Sequence, residues 1–213
     1  MSQIKKRESA IVFTPNRLEF LTDGVFAIVM TLLVLEVSIP EIAHPSLQSE
    51  LPRRLLELWP KLYSYALSFI VLGLLWTLHH RSFHSIKRCD NALIWLNIVF
   101  LMFVALIPFS TSLLGNYGTE QISIIIYASN GLLALIMRLL IWIYAAGKYR
   151  LVDSDISPRW VKTNNLISIV FLPSFLLVIG VSFINVTAAF YVLVLSMVAA
   201  IVMQLSIGRR LYQ

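Results

Sequence analysis

Apolar residues gather into long runs along the chain, and short clusters of charged, prolyl and glycyl positions punctuate them. A helix rises about 1.5 Å per residue and a bilayer's hydrocarbon core is about 30 Å thick, so roughly 20 mostly apolar residues predict a membrane span. Six runs qualify. The first, 15–38, opens at Thr14-Pro15, a hydroxyl cap followed by a proline at the first helical position, and stops before Pro40. The second covers 61–79. The third, 91–114, ends where Gly115, Asn116, Tyr117 and Gly118 read as a turn. The fourth covers 121–146. No charge occurs between Lys162 and Arg209, and one helix of that length would be about 70 Å long, over twice the hydrocarbon thickness. The polar cluster from Ser182 to Thr187, with Asn185, is where this stretch folds back, giving spans 163–183 and 187–207. The expected fold is an all-α membrane protein with a single six-helix domain over 1–213, and Ile39 to Pro60 forms only a short external loop.

Composition agrees: of 213 residues, 58% are hydrophobic and 13% charged, with mean hydropathy +0.80. A soluble domain of this size could not cover so much apolar surface. The net charge of +6 adds an orientation. Lys5, Lys6, Arg7, Arg17, Arg81, Lys87, Arg88, Lys148, Arg150, Arg159, Lys162, Arg209 and Arg210 fall at one set of helix ends, and Arg53, Arg54 and Lys61 at the other. Basic residues are retained on the cytoplasmic side, so both termini are expected inside, in a multi-pass protein of the cell membrane. Arg138 lies within a span, roughly 13 Å from Gly147, and is expected to snorkel to the inner surface. No basic stripe interleaved with aromatics supports nucleic-acid binding. The single cysteine, Cys89, excludes an intrachain disulfide. Met1 to Val12 lacks the apolar core of a secretory signal, so the first helix is expected to remain in the mature protein.

Polar groups inside the spans narrow the chemistry, because an ionisable residue at a helix centre costs roughly 2.5 to 3.5 kcal/mol on insertion scales. Asp23 lies about 9 Å deep if the hydrocarbon begins near Arg17, and Asn97 reaches about the same depth on the third helix. His79 and Trp76 approach that layer from the second. A carboxylate, an amide, an imidazole and an indole N–H on three helices form a structural clamp, or Asp23 or His79 carries protons. At about 100° per residue, Ile28, Leu32 and Leu35 fall within about 60° of one another, Thr31 edges that stripe, and Asp23 lies about 140° from Ile28. The stripe either meets lipid or another helix, or serves a separate purpose. Arg17 falls on the same side as Ile28. Glu36, at the outer end, reads as a solvated interfacial charge or as part of an acidic ring that draws cations. His79, His80 and His84 do not make a zinc set, since adjacent histidines point to different helix faces and only Asp90 lies nearby. No nucleophile elbow, His-Glu-x-x-His pair or phosphate-binding glycine loop is present, so neither enzyme chemistry nor a cofactor is expected.

The segment Arg17-Leu-Glu-Phe-Leu-Thr-Asp23-Gly-Val-Phe-Ala-Ile-Val-Met-Thr-Leu-Leu-Val-Leu-Glu36 resembles the first helix of the transmembrane protein 175 family of potassium channels, which carries an Arg-x-x-x-Phe-Ser-Asp motif there. Here Arg17 and Asp23 stand, Thr22 exchanges one hydroxyl for another, and Leu21 replaces the aromatic. The resemblance continues through Trp76-Thr-Leu-His79-His80-Arg81 and Leu93-Ile-Trp95-Leu-Asn97 to the stretch from Pro108 to Tyr117, roughly the first half of the chain. Helices four to six match in number and hydrophobicity. The resemblance implies a homotetramer in the lipid bilayer, with four first helices lining a central pore and no carbonyl filter loop. It implies K+ among permeant monovalent cations. The family's narrow hydrophobic layers and its threonine layer correspond to Ile28, Leu32, Leu35 and Thr31, the stripe already isolated by the helical wheel.

Rings of isoleucine and leucine offer no ligands, so water leaves a narrow constriction and ions are blocked until the helices rotate or splay. Potassium surrenders its water more cheaply than sodium, which implies modest selectivity, and a ring of Thr31 hydroxyls would add to it. The alternative is a proton leak pathway or a secondary cation transporter using Asp23 and His79. A transporter usually shows internal repeats and broken midplane helices, and neither is visible here.

Overall fold

A computed structural model describes residues 14–38 and 47–211; the expected stop at Pro40 and the reading of residues 1–12 lie outside the described residues. The described chain is almost wholly helical: α1 Pro15–Leu32, tightening into a 3₁₀ turn at Leu33–Glu36, then α2 Leu47–Glu57, α3 Trp59–His84, α4 Asn91–Ala105, α5 Ile107–Tyr117, α6 Gln121–Ala146, α7 Pro158–Ser182 and α8 Val186–Leu211. Joined across short breaks, these give six segments long and apolar enough to cross a membrane: Pro15–Glu36, Glu50–His84, Asn91–Tyr117, Gln121–Tyr149, Pro158–Ser182 and Val186–Ser206.

The helix ends follow local chemistry. Pro15 occupies the first turn of α1, and Thr14 caps through its main chain instead of its hydroxyl, its carbonyl accepting from Arg17 N–H at 3.0 Å. Asp90 caps α4 with Oδ1, which accepts from Leu93 N–H at 2.9 Å, while Oδ2 accepts from Tyr144 OH on α6 at 2.7 Å. Asn185 Oδ1 accepts from Ala188 N–H at 2.9 Å and starts α8 just past the reversal after Ser182.

Two stretches depart from the sequence expectation. The third span is broken at Leu106, because Pro108 in the first turn of α5 has no N–H to continue the ladder and its ring crowds the preceding turn. Beyond the break, α5 runs through Gly115 and Asn116 to Tyr117, and the turn comes later, where Glu120 N–H reaches Tyr117 O at 2.9 Å. The expected external loop contains helix α2, in which Arg53 and Arg54 donate to Glu57 at 3.0 and 3.1 Å.

Helix α6 runs through the middle of the bundle, packed on α4, α5 and α7, while α1 lies across α3 and α4. Phe26, Val29 and Leu33 share a core with Leu72, Leu75, Phe100, Val104 and Trp142. A second core joins Leu67, Leu114, Ile124, Tyr127, Val178 and Leu193. At the α3–α4 and α6–α7 connections Ile86 and Val152 form an antiparallel bridge, and the Arg88 guanidinium donates to the carbonyls of Tyr149 and Val152 at 2.9 and 3.1 Å.

Arg138 does not snorkel to the inner surface. It is 1% exposed and donates to Ser82 Oγ at 2.6 Å, Asn164 Oδ1 at 2.8 Å and Leu78 O at 3.2 Å. Oxygen acceptors on α3 and α7 hold one terminal nitrogen of the guanidinium inside the bundle, so its stem does not extend to water.

Candidate functional site

Helix α1 has two faces with different chemistry. Leu18, Thr22, Phe26, Val29 and then Leu33 of the 3₁₀ turn recur every three or four residues and are buried, a stripe turned toward the bundle. Within it Thr22 is the polar member. Asn97 Nδ2 on α4 donates to Thr22 Oγ1 at 3.1 Å, and Asn97 Oδ1 lies 2.9 Å from His79 Nε2 on α3. With the amide oriented this way the imidazole is the donor. The ring is stacked between Phe83, at 4.1 Å and 19°, and Phe100, at 5.2 Å and 6°. Thr22, Asn97 and His79 therefore form a closed chain of donors and acceptors across three helices, enclosed by aromatic faces.

Asp23 is not part of that chain. Its Oδ1 accepts from Trp76 Nε1 at 2.8 Å, Trp76 stacks on His80 at 5.5 Å and 16°, and His80 Nδ1 meets Glu19 Oε1 at 2.9 Å. Glu19 and Asp23 stand four apart on α1, as do Trp76 and His80 on α3, so the two helices are laced by a ladder with two rungs. Sequence reasoning placed Asp23, Trp76, His79 and Asn97 in one network; the structure separates them into a buried chain and a half-exposed ladder. It also adds Glu19 and His80, which sequence reasoning missed. The paired four-residue spacings on the two helices were the available signal.

The opposite face of α1 meets no other described part of the chain closely enough to be covered. Ile28, Leu32 and Leu35 are 59%, 42% and 69% exposed, and Thr31 and Gly24 lie on the same open side. A Cβ built on Gly24 would find nothing within 4 Å. Thr31 Oγ1 donates to Ile28 O at 2.7 Å, so its hydrogen is held by its own helix and its oxygen lone pairs remain available to water or a cation. Arg17 is exposed near the start of this helix, and Glu36 is partly buried at its end. Between Asp23 and Glu36 the helix carries no charge. Such a surface can pack against apolar partners, or in several copies enclose a narrow apolar conduit; on its own it has no ligand set to hold an ion.

A family described as endosomal/lysosomal potassium channel TMEM175 matches residues 17–108. A protein named as a potassium channel from Streptomyces collinus is 40% identical over 106 residues, 50% of this chain and 50% of its own, so this chain spans about half the length of that relative. The crystal structure of a lysosomal potassium-selective channel TMEM175 homolog from Chamaesiphon minutus superposes with a TM-score of 0.77 at 31% identity, covering 90% of this chain and 97% of that one. A Gallus gallus protein named as an endosomal/lysosomal proton channel is 31% identical over 111 residues, 50% of this chain and 22% of its own length.

Proposed function

The chain belongs to the TMEM175 family of potassium channels, and on that premise we propose that it conducts potassium passively through a central pore formed by four copies of α1. The observation that carries the reading is the open apolar stripe of Ile28, Leu32 and Leu35 on the face of α1 turned away from the Thr22 and Asp23 contacts. Those contacts fix the rotation of α1 against α3 and α4, so its apolar edge is held outward to meet three others about an axis. On this reading both termini lie on the cytoplasmic side of the cell membrane, an orientation that the lysine and arginine distribution supports.

Closure follows from surface chemistry: rings of isoleucine and leucine hold no water when narrow, and a dry constriction blocks ions without a plug. When the helices splay, a cation crosses partly dehydrated. Potassium yields its shell at lower cost than sodium, and four Thr31 oxygens, with their hydrogens tied back to Ile28 O, replace part of it. Glu36 sits beyond the hydrophobic layers, where a ring of carboxylates concentrates cations at the outer mouth. Bi-ionic recording tests this reading. Thr31→Ala lowers the preference for potassium over sodium, and an unchanged reversal potential would remove Thr31 from the path.

Proton passage is a second reading, favoured by the name of the Gallus gallus relative. His79 does not suit a relay, being buried between Phe83 and Phe100; Asp23, half-exposed beside Trp76, is the group to test. Asp23→Asn abolishes proton flux into liposomes if this reading holds, whereas unchanged flux excludes that carboxylate.

A further inference from the structure

Helix α8 packs mainly on α7 and approaches α3 and α6 only sparsely, and a narrow groove of about 60 Å³, half open along its side, runs between the four helices. Leu74 and Leu78 of α3, Leu135 of α6, Phe175 of α7 and Leu193 and Ala200 of α8 form its walls. Two serines also line it, but Ser174 Oγ donates to Phe171 O and Ser196 Oγ to Leu193 O, both at 2.7 Å, so neither offers its hydrogen to a guest. Gln204 is different. It lines the end of the groove nearest Arg209, and its Nε2 is buried with no hydrogen-bond partner among the described residues. Arg81 continues the Leu74–Leu78 row of α3 by one more turn in the same direction, about 4.5 Å beyond Leu78. Its Nη1 is likewise buried without a partner among the described residues.

Depth in the membrane gives these features an order. From Leu193 to Gln204 is about 16 Å along α8, half of a hydrocarbon core about 30 Å thick, so the groove is as long as one leaflet is deep. Arg81 stands twenty residues from Lys61 on α3, about 30 Å, which sets the two cations at opposite faces of the hydrocarbon. An occupant therefore meets apolar walls first, then an amide hydrogen in need of an acceptor, then a cation. Water or a bare ion finds no ligand set among leucine and phenylalanine side chains. A helix of a neighbouring copy, about 10 Å across, is too wide for the slot. A phospholipid carries the complementary parts in the same order: acyl chain, ester carbonyl, phosphate. Arg81 also lies close enough to Arg138 for the two guanidinium groups to repel, and a choline head group would bring a third cation to them, whereas an anionic one would not.

We infer that the groove holds one anionic phospholipid of the leaflet on the Arg81 side, with its acyl chain between α3 and α8, an ester carbonyl accepting from Gln204 Nε2 and its phosphate beside Arg81. The inference does not rest on conduction, and its test needs no ion gradient. Native mass spectrometry of the full chain in detergent, titrated with phosphatidylglycerol and with phosphatidylcholine of equal chain length, counts the bound lipids and gives their affinities. The parent is expected to hold one phosphatidylglycerol per chain about fivefold more tightly than phosphatidylcholine, the factor for one basic side chain at an anionic head group. Arg81→Gln should bind both lipids alike and Arg81→Lys should keep the preference, while Gln204→Leu should weaken both equally, since the ester is common to them. Ala200→Phe, which puts a ring into the groove, should lose the lipid, and Leu195→Phe on the exposed face of α8 should retain it. The preference is a ratio read within one protein, so partial misfolding of a variant does not imitate its selective loss. Equal binding of the two lipids by the parent, a preference that survives in Arg81→Gln, or a lipid that stays on Ala200→Phe overturns the assignment.

Discussion

Asn97 serves two neighbours with one side chain, giving a hydrogen to Thr22 and taking one from His79 in a layer that excludes water. Replacing it by leucine leaves a hydroxyl and an imidazole unpaired in the bundle, and an unmet buried polar group costs about 1–3 kcal/mol. Couplings inside membranes run lower, on average about 0.6 kcal/mol, because the unfolded helices also find partners in lipid. Asn97→Leu, which removes both bonds, should therefore destabilise the protein by about 1 kcal/mol, the low end of that range, in thermal unfolding of the solubilised chain. Thr22→Val strands only one amide hydrogen and should cost less. Equal stability of all three proteins would show that the layer does not hold α1. On the other face, Ile28 is open, and its replacement by asparagine puts a hydrogen-bonding amide where the proposed constriction must dry. Ile28→Asn is expected to raise resting potassium leak from loaded liposomes, and identical efflux would place the gate elsewhere.

At the level of helices, glycine decides how closely neighbours approach. A Cβ on Gly115 would fall 2.7 Å from Ser64 Oγ and 3.3 Å from Lys61 Cα, whereas one on Gly24 meets nothing. Gly115→Ala must push α5 off the backbone of α3, and overpacking of this kind costs about 1–3 kcal/mol. Gly24→Ala adds no clash and gains helix propensity, up to about 1 kcal/mol. Within the single chain the two substitutions should thus shift the melting temperature in opposite directions; an unchanged or raised value for Gly115→Ala would contradict the close α3–α5 contact, and a fall for Gly24→Ala would mean that a neighbouring copy packs on that side of α1. The same scale shows what the sequence could disclose. Six spans were legible because uninterrupted apolar length is a local property, and the reversal near Asn185 was legible because one helix of that length outruns the bilayer. The break at Leu106 was not foreseen although Pro108 was in view, since a span of sufficient length gave no reason to divide it. Arg138 was misjudged for a different reason. Its acceptors Leu78, Ser82 and Asn164 lie far away in the sequence, and no pattern near residue 138 announces them. The link from Asn97 to His79 could be anticipated because equal depth on adjacent helices brings polar groups together, but depth alone could not say that Thr22, and not Asp23, would complete it.

For the whole molecule the open question is what covers the outer edge of α1. Leu35 on that edge is 69% exposed and Leu195 on α8 is 67% exposed, so solvent exposure within one chain cannot tell a pore wall from a lipid-facing helix. Assembly can. If four copies converge on α1, Leu35 meets its own symmetry mates, and cysteines introduced there come within reach of one another; cysteines at Leu195 face lipid and stay apart. In a Cys89→Ser background, which removes the single native thiol, Leu35→Cys should yield disulfide-linked dimers under mild oxidation while Leu195→Cys remains monomeric on a denaturing gel. A ring of thiolates is also a soft-metal site, so micromolar cadmium should block potassium efflux through the Leu35→Cys channel and spare the Leu195→Cys channel. Cross-linking without block would mean that α1 edges pair between subunits without enclosing the path. If Leu195→Cys gives both effects and Leu35→Cys gives neither, the pore axis lies beside α8, and the stripe on α1 faces lipid.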